Sequence, residues 1–397
     1  MSAEGQVGKN DIRSLAEKNA IIANIIRALE ERDDFLLLGH KSPDEDCVAS
    51  MVAFGLIASK FNKSVSIYTC DVLHEQFAYL LSIATYNSIR VICGPDAPVE
   101  GVGAIVLLDT PKPDMIDDDE EIRAMAANPS VLKIEIDHHL GADASYFGDE
   151  GYRLVAEASS ACELVGYLAL KLDADEELKR RRGIGELLTR NLVLAILTGI
   201  IADSHMGKYI KTRRERWFFE RFSSIFDRML AQKTRAGSRN FASKEEVFDA
   251  LASLSTEEEE CYRRMMERRR RSRLVDSVVL PRDEAMALRA GYGEDTLTAV
   301  ARTVADSLAE EGGHLGLIAY HDDPTISDFV QFRVRRSQAF KDFDLREILS
   351  RLSIENGGGH PGAIGFRFHE HEVQDIETFA AELIVRIEAL IAAEGRA

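Results

Sequence analysis

The chain has 397 residues, 45% of them hydrophobic and 29% charged, which fits two to three globular domains and excludes a disordered or fibrous protein. Its net charge of −18 argues against long duplex DNA or RNA as a partner, because phosphate contacts dominate that binding; a small anionic substrate stays open if carboxylates first collect divalent cations. No apolar run reaches the roughly 18 to 20 residues that cross a bilayer, and MSAEGQVGKNDIRSLAEKN lacks a signal core, so no membrane partner is expected and the cytoplasm is the expected location.

In chain order, residues 11–31 predict an amphipathic helix, with apolar positions at Leu15, Ile21, Ile22, Ile25, Ile26 and Leu29. DFLLLGH (34–40) is a short apolar run ending in polar residues, and VASMVAFGLIASKF after it is helical. SVSIYTC (64–70), VICG (91–94), AIVLLDT (104–110) and VLKIEIDHH (131–139) are strand candidates, separated by helical segments at 74–85 and 117–127. Continuous apolar strands alternating with helices predict an α/β fold with a doubly wound, mainly parallel sheet covered on both faces. Residues 158–171 and 184–201 are helical. From 212 to 275 the chain is charged and nearly all helical, including TEEEECYRRMMERRRRSR (256–273). It reads as a solvated linker laced with salt bridges; a dimer contact, or a basic clamp using Arg268 to Arg273, is the alternative. KRRR at 179–182 reads likewise as a solvated, salt-bridged stretch or as a basic clamp. SVVLPRD, HLGLIAYHD and DFVQFRVRRS are strands, and 295–311 and 376–393 are helices, of a second, smaller α/β domain. The expected division is 1–211, a helical linker 212–275, and 276–397. Cys47, Cys70, Cys93, Cys162 and Cys261 form no CxxC pair and read as buried thiols in a reducing compartment.

Acids and histidines gather where apolar segments end. GHKSPDED supplies His40, Asp44 and Asp46; VLLDT supplies Asp109; EIDHH supplies Asp137, His138 and His139; TGIIADSH supplies Asp203 after an apolar helix. Charged groups at the carboxyl ends of strands in an open α/β sheet face the ligand crevice. One aspartate after a strand is ordinarily a cap or turn residue, but four such clusters together would be costly to bury without cations. Carboxylates mixed with imidazoles suit manganese, magnesium, iron or cobalt.

HKSPDED, Asp109, DHH and ADS resemble the four motifs of the DHH phosphoesterase superfamily. ENGGGHPGAIG (355–365) resembles the glycine-rich signature of its associated DHHA1 domain, and FRVRRS (332–337) the strand before it. ASSACELV (158–165) resembles the stretch after DHH in the oligoribonuclease and pAp phosphatase branch. The resemblance covers roughly residues 30–210 and 275–395. It implies two cations, usually manganese: one held by His40, Asp44 and Asp109, the other by Asp46, Asp109, His138 and Asp203, with Asp109 bridging. It implies that His139 faces the substrate phosphate and that Asp137 orients the histidines. Two such cations clamp phosphoryl oxygens and acidify the attacking water. The glycines Gly357, Gly358 and Gly359, with His360, Arg336 and Ser337, are then the expected substrate-binding residues, Arg336 as a fork for phosphate.

The chain departs from the family pattern at Glu45, Ala49 and Asn356, where glycine is usual, and at Ser204-His205-Met206, where many relatives have Thr-Gly. The implied activity is hydrolysis of short oligoribonucleotides or a small nucleotide such as pAp. A cyclic or linear dinucleotide phosphodiesterase is the runner-up, and an inorganic pyrophosphatase or a silent nucleotide-binding protein comes after it.

Overall fold

The structure, a computed structural model, describes residues 8–70, 73–94, 101–117, 120–233, 241–252, 254–325 and 327–393. The chain divides into two units, 1–253 and 254–397.

In the first unit a short strand β1 (Gly8–Lys9) precedes helix α1 (Leu15–Glu31). Then come β2 (Phe35–Leu38), α2 (Glu45–Lys60), β3 (Val65–Thr69), α3 (Ala78–Tyr86), β4 (Arg90–Cys93), β5 (Ala104–Leu108), α4 (Glu120–Ala126) and β6 (Leu132–Asp137). β7 (Gly141–Ser145) and β8 (Arg153–Val155) lead into helices α5 (Ala161–Ala174), α6 (Glu176–Arg182), α7 (Arg190–Asp203), α8 (Arg213–Lys233) and α9 (Lys244–Ala252). Six strands form one parallel sheet in the order β4-β3-β2-β5-β6-β8. The pleat sends alternate residues to opposite faces. Phe35, Leu37, Val65, Ile67 and Val106 enter the main core with α1, α2, α5 and α7, whereas Leu36, Leu38, Tyr68, Ile105 and Leu107 pack with Ile122 of α4 on the other face. The chain runs from β2 outward to β3 and β4, then returns to β5 on the other side of β2. The carboxyl ends of β2 and β5 therefore flank the point where the winding reverses, which is where open α/β sheets bind ligands.

The charged segment 212–275 does not stand apart as a linker. α8 buries Phe218, Phe222, Ile225, Phe226 and Leu230 in the first unit's main core, and α9 adds Val247 and Leu251. Helix α10 (Thr256–Met266) gives Cys261 and Met265 to the second unit's core. A stripe of apolar residues at helical spacing within a charged sequence decided this division. The arginine runs are paired with acids: Lys179 with Asp173 and Glu176, Arg181 and Arg182 with Glu30, Arg268 with Glu284 and Glu377, Arg269 with Asp276 and Glu311, and Arg270 with Glu377.

The second unit continues with β9 (Arg270–Arg271), β10 (Val275–Leu280), α11 (Arg282–Tyr292), α12 (Glu294–Gly312), β11 (Leu315–His321), β12 (Phe329–Arg336), α13 (Arg346–Arg351), β13 (Gly357–His360), β14 (Ala363–His369) and α14 (Ile376–Ala393). Its sheet has the order β13-β14-β12-β11-β10-β9 and is antiparallel except for the β10–β11 pair. Separate apolar clusters cover its two faces. Among the described residues no helix is long and apolar enough to cross a membrane. None of the five cysteines forms a disulfide, but Cys93 is exposed and Cys70 half-buried; Cys93 ends the edge strand β4 and Cys70 follows β3, so the expectation of five buried thiols is corrected to Cys47, Cys162 and Cys261.

Candidate metal centre

Four loops at the carboxyl end of the first sheet carry the predicted ligands to one place. Residues 39–44 leave β2 and turn into α2, where Asp44 is the N-cap and accepts from the Cys47 N–H at 3.2 Å. Asp109 follows β5 directly, and its N–H donates to the Ile136 carbonyl at 3.1 Å. Asp137 ends β6 and is followed by His138 and His139; Asp203 is the last residue of α7. Backbone φ is +50° at Ser42, +48° at Asp109, +48° at His205 and +57° at Met206. Such left-handed conformations cost about 1–3 kcal/mol each for residues other than glycine and cluster at functional sites.

The geometry centres on Asp109. Its Oδ2 lies 3.9 Å from His40 Nε2, and its Oδ1 lies 3.2 Å from His138 Nε2. His40 Nε2 is 3.8 Å from Asp44 Oδ1, and His138 Nε2 is 3.4 Å from Asp203 Oδ2. Asp46, His138 and Asp203 each offer a ligand atom within 4.8 Å of the others, as do His40, Cys47 and Asp109. Asp46 also accepts from the Ala161 and Cys162 N–H groups at 2.5 and 3.0 Å, which ties it to the start of α5.

The imidazoles are held from behind. His40 Nδ1–H donates to the Lys41 carbonyl at 2.8 Å and His138 Nδ1–H to the Ala158 carbonyl at 3.2 Å, so each Nε2 faces the carboxylates. Asp137 Oδ1 accepts from the His139 Nδ1–H at 2.8 Å and from the His138 and His139 N–H groups at 2.9 and 3.3 Å.

These acids and imidazoles shift one another's protonation. Burial, then the neighbouring Asp109, pushes Asp46 up to about 7. Burial and Asp46 raise Asp203 well above the ordinary carboxylate range. Burial opposes charge on His40, but Asp44 and Asp109 outweigh it and raise the group to about 9. His138 rises in the same way through Asp109. Burial, then Asp109, keeps the Cys47 thiol protonated. Asp137 is the exception: the His139 hydrogen bond and Lys9 overcome its burial and hold it well below the usual carboxylate range.

The donor set fits divalent cations. Ligand atoms about 2.1 Å from an octahedral ion stand about 3.0 Å apart when adjacent and about 4.2 Å when opposite, and the 3.2 to 3.9 Å separations above lie in that range. Asp109 Oδ1 is buried yet makes no hydrogen bond among the described residues, as expected of an oxygen directed at a cation. Gly199 on α7 belongs to the same design, since a methyl there would collide with Asp46 Oδ1 and Cys162 Sγ. Gly199→Ala is expected to lower manganese affinity and to cost about 1–3 kcal/mol of stability. Titration calorimetry and thermal unfolding check this; a variant unchanged in both would show that α7 shifts freely.

The second unit corrects one expectation. Arg336 is not a phosphate fork, because it falls on the buried face of β12 and its guanidinium donates to the Lys341 and Phe343 carbonyls. Ser337 is 1% exposed, its N–H bonded to the His314 carbonyl. Gly357 to His360 form edge strand β13 against β14. At Gly359, where φ is +135°, a side chain would collide with the Ala363 carbonyl, so this glycine serves the hairpin.

Lys9 was not anticipated: its ammonium contacts Asp137 Oδ2 (2.5 Å), the Thr110 carbonyl (2.7 Å) and Glu135 Oε1 (2.8 Å). A lysine in a polar amino-terminal stretch carries no sequence signal of burial.

Residues 34–200 match the DHH family, N-terminal domain. No curated protein matches the sequence. An exopolyphosphatase-related protein from Bacteroides fragilis has a similar fold, with a TM-score of 0.61 and 19% identity over 92% of this chain and 98% of that one. Exonuclease RecJ bound to manganese aligns with a TM-score of 0.44 and 15% identity over 96% of this chain and 95% of that one. A putative family II inorganic pyrophosphatase from Methanococcus jannaschii aligns with a TM-score of 0.41 and 15% identity over 83% and 93% of the two chains.

Proposed function

From the match of residues 34–200 to the DHH family, N-terminal domain, we propose that this chain is a metal-dependent phosphoesterase of that superfamily and that it hydrolyses short oligoribonucleotides or small nucleotides of the pAp type at a two-cation centre. Asp109 carries the reading: its two oxygens point to two different imidazole nitrogens, His40 Nε2 and His138 Nε2. In the proposal His40, Asp44 and Asp109 hold one cation and Asp46, Asp109, His138 and Asp203 the other. Manganese is the proposed resident ion, with magnesium, cobalt and iron as alternatives that suit the same oxygen and imidazole donors. When bound, the cations supply positive charge against the phosphoryl oxygens and an acidified water.

The side chains supply the rest. Asp137 accepts the His139 Nδ1–H, which turns Nε2 away from that carboxylate. The His139 side chain is 27% exposed and that of His138 1%, so His139 is the histidine that meets an incoming phosphate. It stabilises charge on the phosphoryl oxygens or passes a proton to the leaving oxygen. The net charge of −18 and the pairing of the arginine runs with acids support a short substrate over a long one. Edge strand β13 and His360 are the proposed elements of nucleotide recognition in the second unit. Cysteines that form no disulfide fit a reducing compartment, and the cytoplasm is the proposed location.

The test is turnover with manganese on a panel of two- to five-residue RNA, pAp, linear and cyclic dinucleotides and pyrophosphate, with an Asp109→Asn variant beside the wild type. Stepwise release of mononucleotides, or phosphate release from pAp, is expected from the wild type alone. Turnover confined to dinucleotides would make the protein a dinucleotide phosphodiesterase. Turnover confined to pyrophosphate would overturn the nucleotide reading.

A further inference from the structure

Lys9 lies 25 residues before the segment matched to the family, yet it reaches the loops that carry the proposed ligands. We infer that Lys9 is a positioning residue of the metal centre, fixing Asp137, and through it His139, from an amino-terminal arm. The inference rests on the two-cation reading above.

β1 pairs antiparallel with β7, the strand that follows the DHH turn. On β6 the pleat places Ile134 and Ile136 in the main core and Glu135 and Asp137 on the opposite face, all four buried. Lys9, 2% exposed, enters between those two acids. Its closest contact is Asp137 Oδ2. Glu135 has other donors, since its Oε2 accepts the Phe147 and Gly148 N–H groups at 3.1 and 3.0 Å. The third contact, the carbonyl of Thr110, belongs to the residue after Asp109. A single ammonium thus ties the loop that follows β5 to the turn that follows β6.

Asp137 divides its oxygens between two jobs. Oδ1 takes the three donors of the His138–His139 turn, and Oδ2 takes Lys9. Without the ammonium, Oδ2 loses its partner and the carboxylate can rotate away from the His139 Nδ1–H. A group that orients a ligand or a reacting imidazole from behind typically changes metal affinity or activity 10–100-fold when removed, roughly as reported for other metal sites. A lysine that merely neutralised Glu135 would have no such effect.

The experiment compares wild type with Lys9→Met and with Lys9→Met/Glu135→Gln, the latter removing a carboxylate that would otherwise be buried without a counter-charge. Three readouts are taken on full-length protein: cooperative thermal unfolding, manganese affinity by calorimetry, and the imidazole N–H proton resonance of His139 in metal-free protein. The double variant is expected to fold, to bind manganese roughly 10–100-fold more weakly, and to lose or broaden the His139 resonance. A folded double variant with wild-type affinity and an intact resonance would overturn the inference. So would one that cannot fold, because it would assign Lys9 to stability alone. The resonance is read without metal or substrate, so a wild type inactive on every phosphate ester would sink the proposed function while leaving this result to stand separately.

Discussion

Asp109→Asn is expected to reduce turnover by about 10³ or more while leaving the fold intact. Asparagine keeps the side-chain shape and tolerates the positive φ at this position better than most residues, so the change is chiefly one of charge and ligand strength. Cation stabilisation of the developing charge is worth several kcal/mol, and each 1.36 kcal/mol is tenfold in rate. Asp109 is the carboxylate that touches both His40 and His138, so its loss weakens both proposed cation sites at once. Stability of the metal-free protein should move the other way or not at all, because Asp109 is a charge that raises both Asp46 and Asp203. Single-turnover kinetics, metal content and thermal unfolding of wild type and variant check these effects. Near-wild-type turnover with two bound metals would remove Asp109 from the centre of the mechanism.

Stripping the metal is expected to destabilise the first unit, by an amount that grows with pH. At a free cation concentration about 100 times Kd, linkage gives about 2.7 kcal/mol, roughly 5 to 10 °C for a unit of this size. The sign follows from the shifted groups. His40 rises from 6.5 to about 9, so its contribution is full below pH 6.5 and is lost as pH climbs through 9. Asp46 rises from 3.8 to about 7; the folded state keeps a proton that the unfolded state has released, and stability falls through that interval as pH increases. Both effects weaken the metal-free protein as pH rises. Cations replace these protons, so binding tightens in the same direction. Melting curves with chelator and with manganese between pH 6 and 9 should diverge as pH rises. A constant difference would mean that these groups do not exchange protons for metal.

The order and chemistry of the proposed ligands were legible in the linear chain. His40, Asp44, Asp46, Asp109, Asp137, His138 and Asp203 follow apolar segments whose hydrophobicity makes them buried strands or a buried helix, and a parallel sheet brings such ends to one edge whatever the loops between them do. That argument needs only local periodicity and winding, both written in the sequence. Burial of groups by distant partners is not written there. Arg336 became an interior residue because the register of β12 turned it inward, and register depends on the neighbouring strands; Ser337, just past the strand, is buried where its N–H meets the His314 carbonyl. The segment 212–275 was divided between two cores by one apolar stripe in α8 and another in α10. Lys9 became part of the proposed centre only because β1 pairs with β7, more than 130 residues away in the chain, and laid its ammonium between Glu135 and Asp137. Sequence by itself determined which groups could bind cations and at which end of the sheet they would stand; tertiary structure decided which charged groups pack against those proposed ligands, because desolvation and pairing arise only when remote segments close over one another.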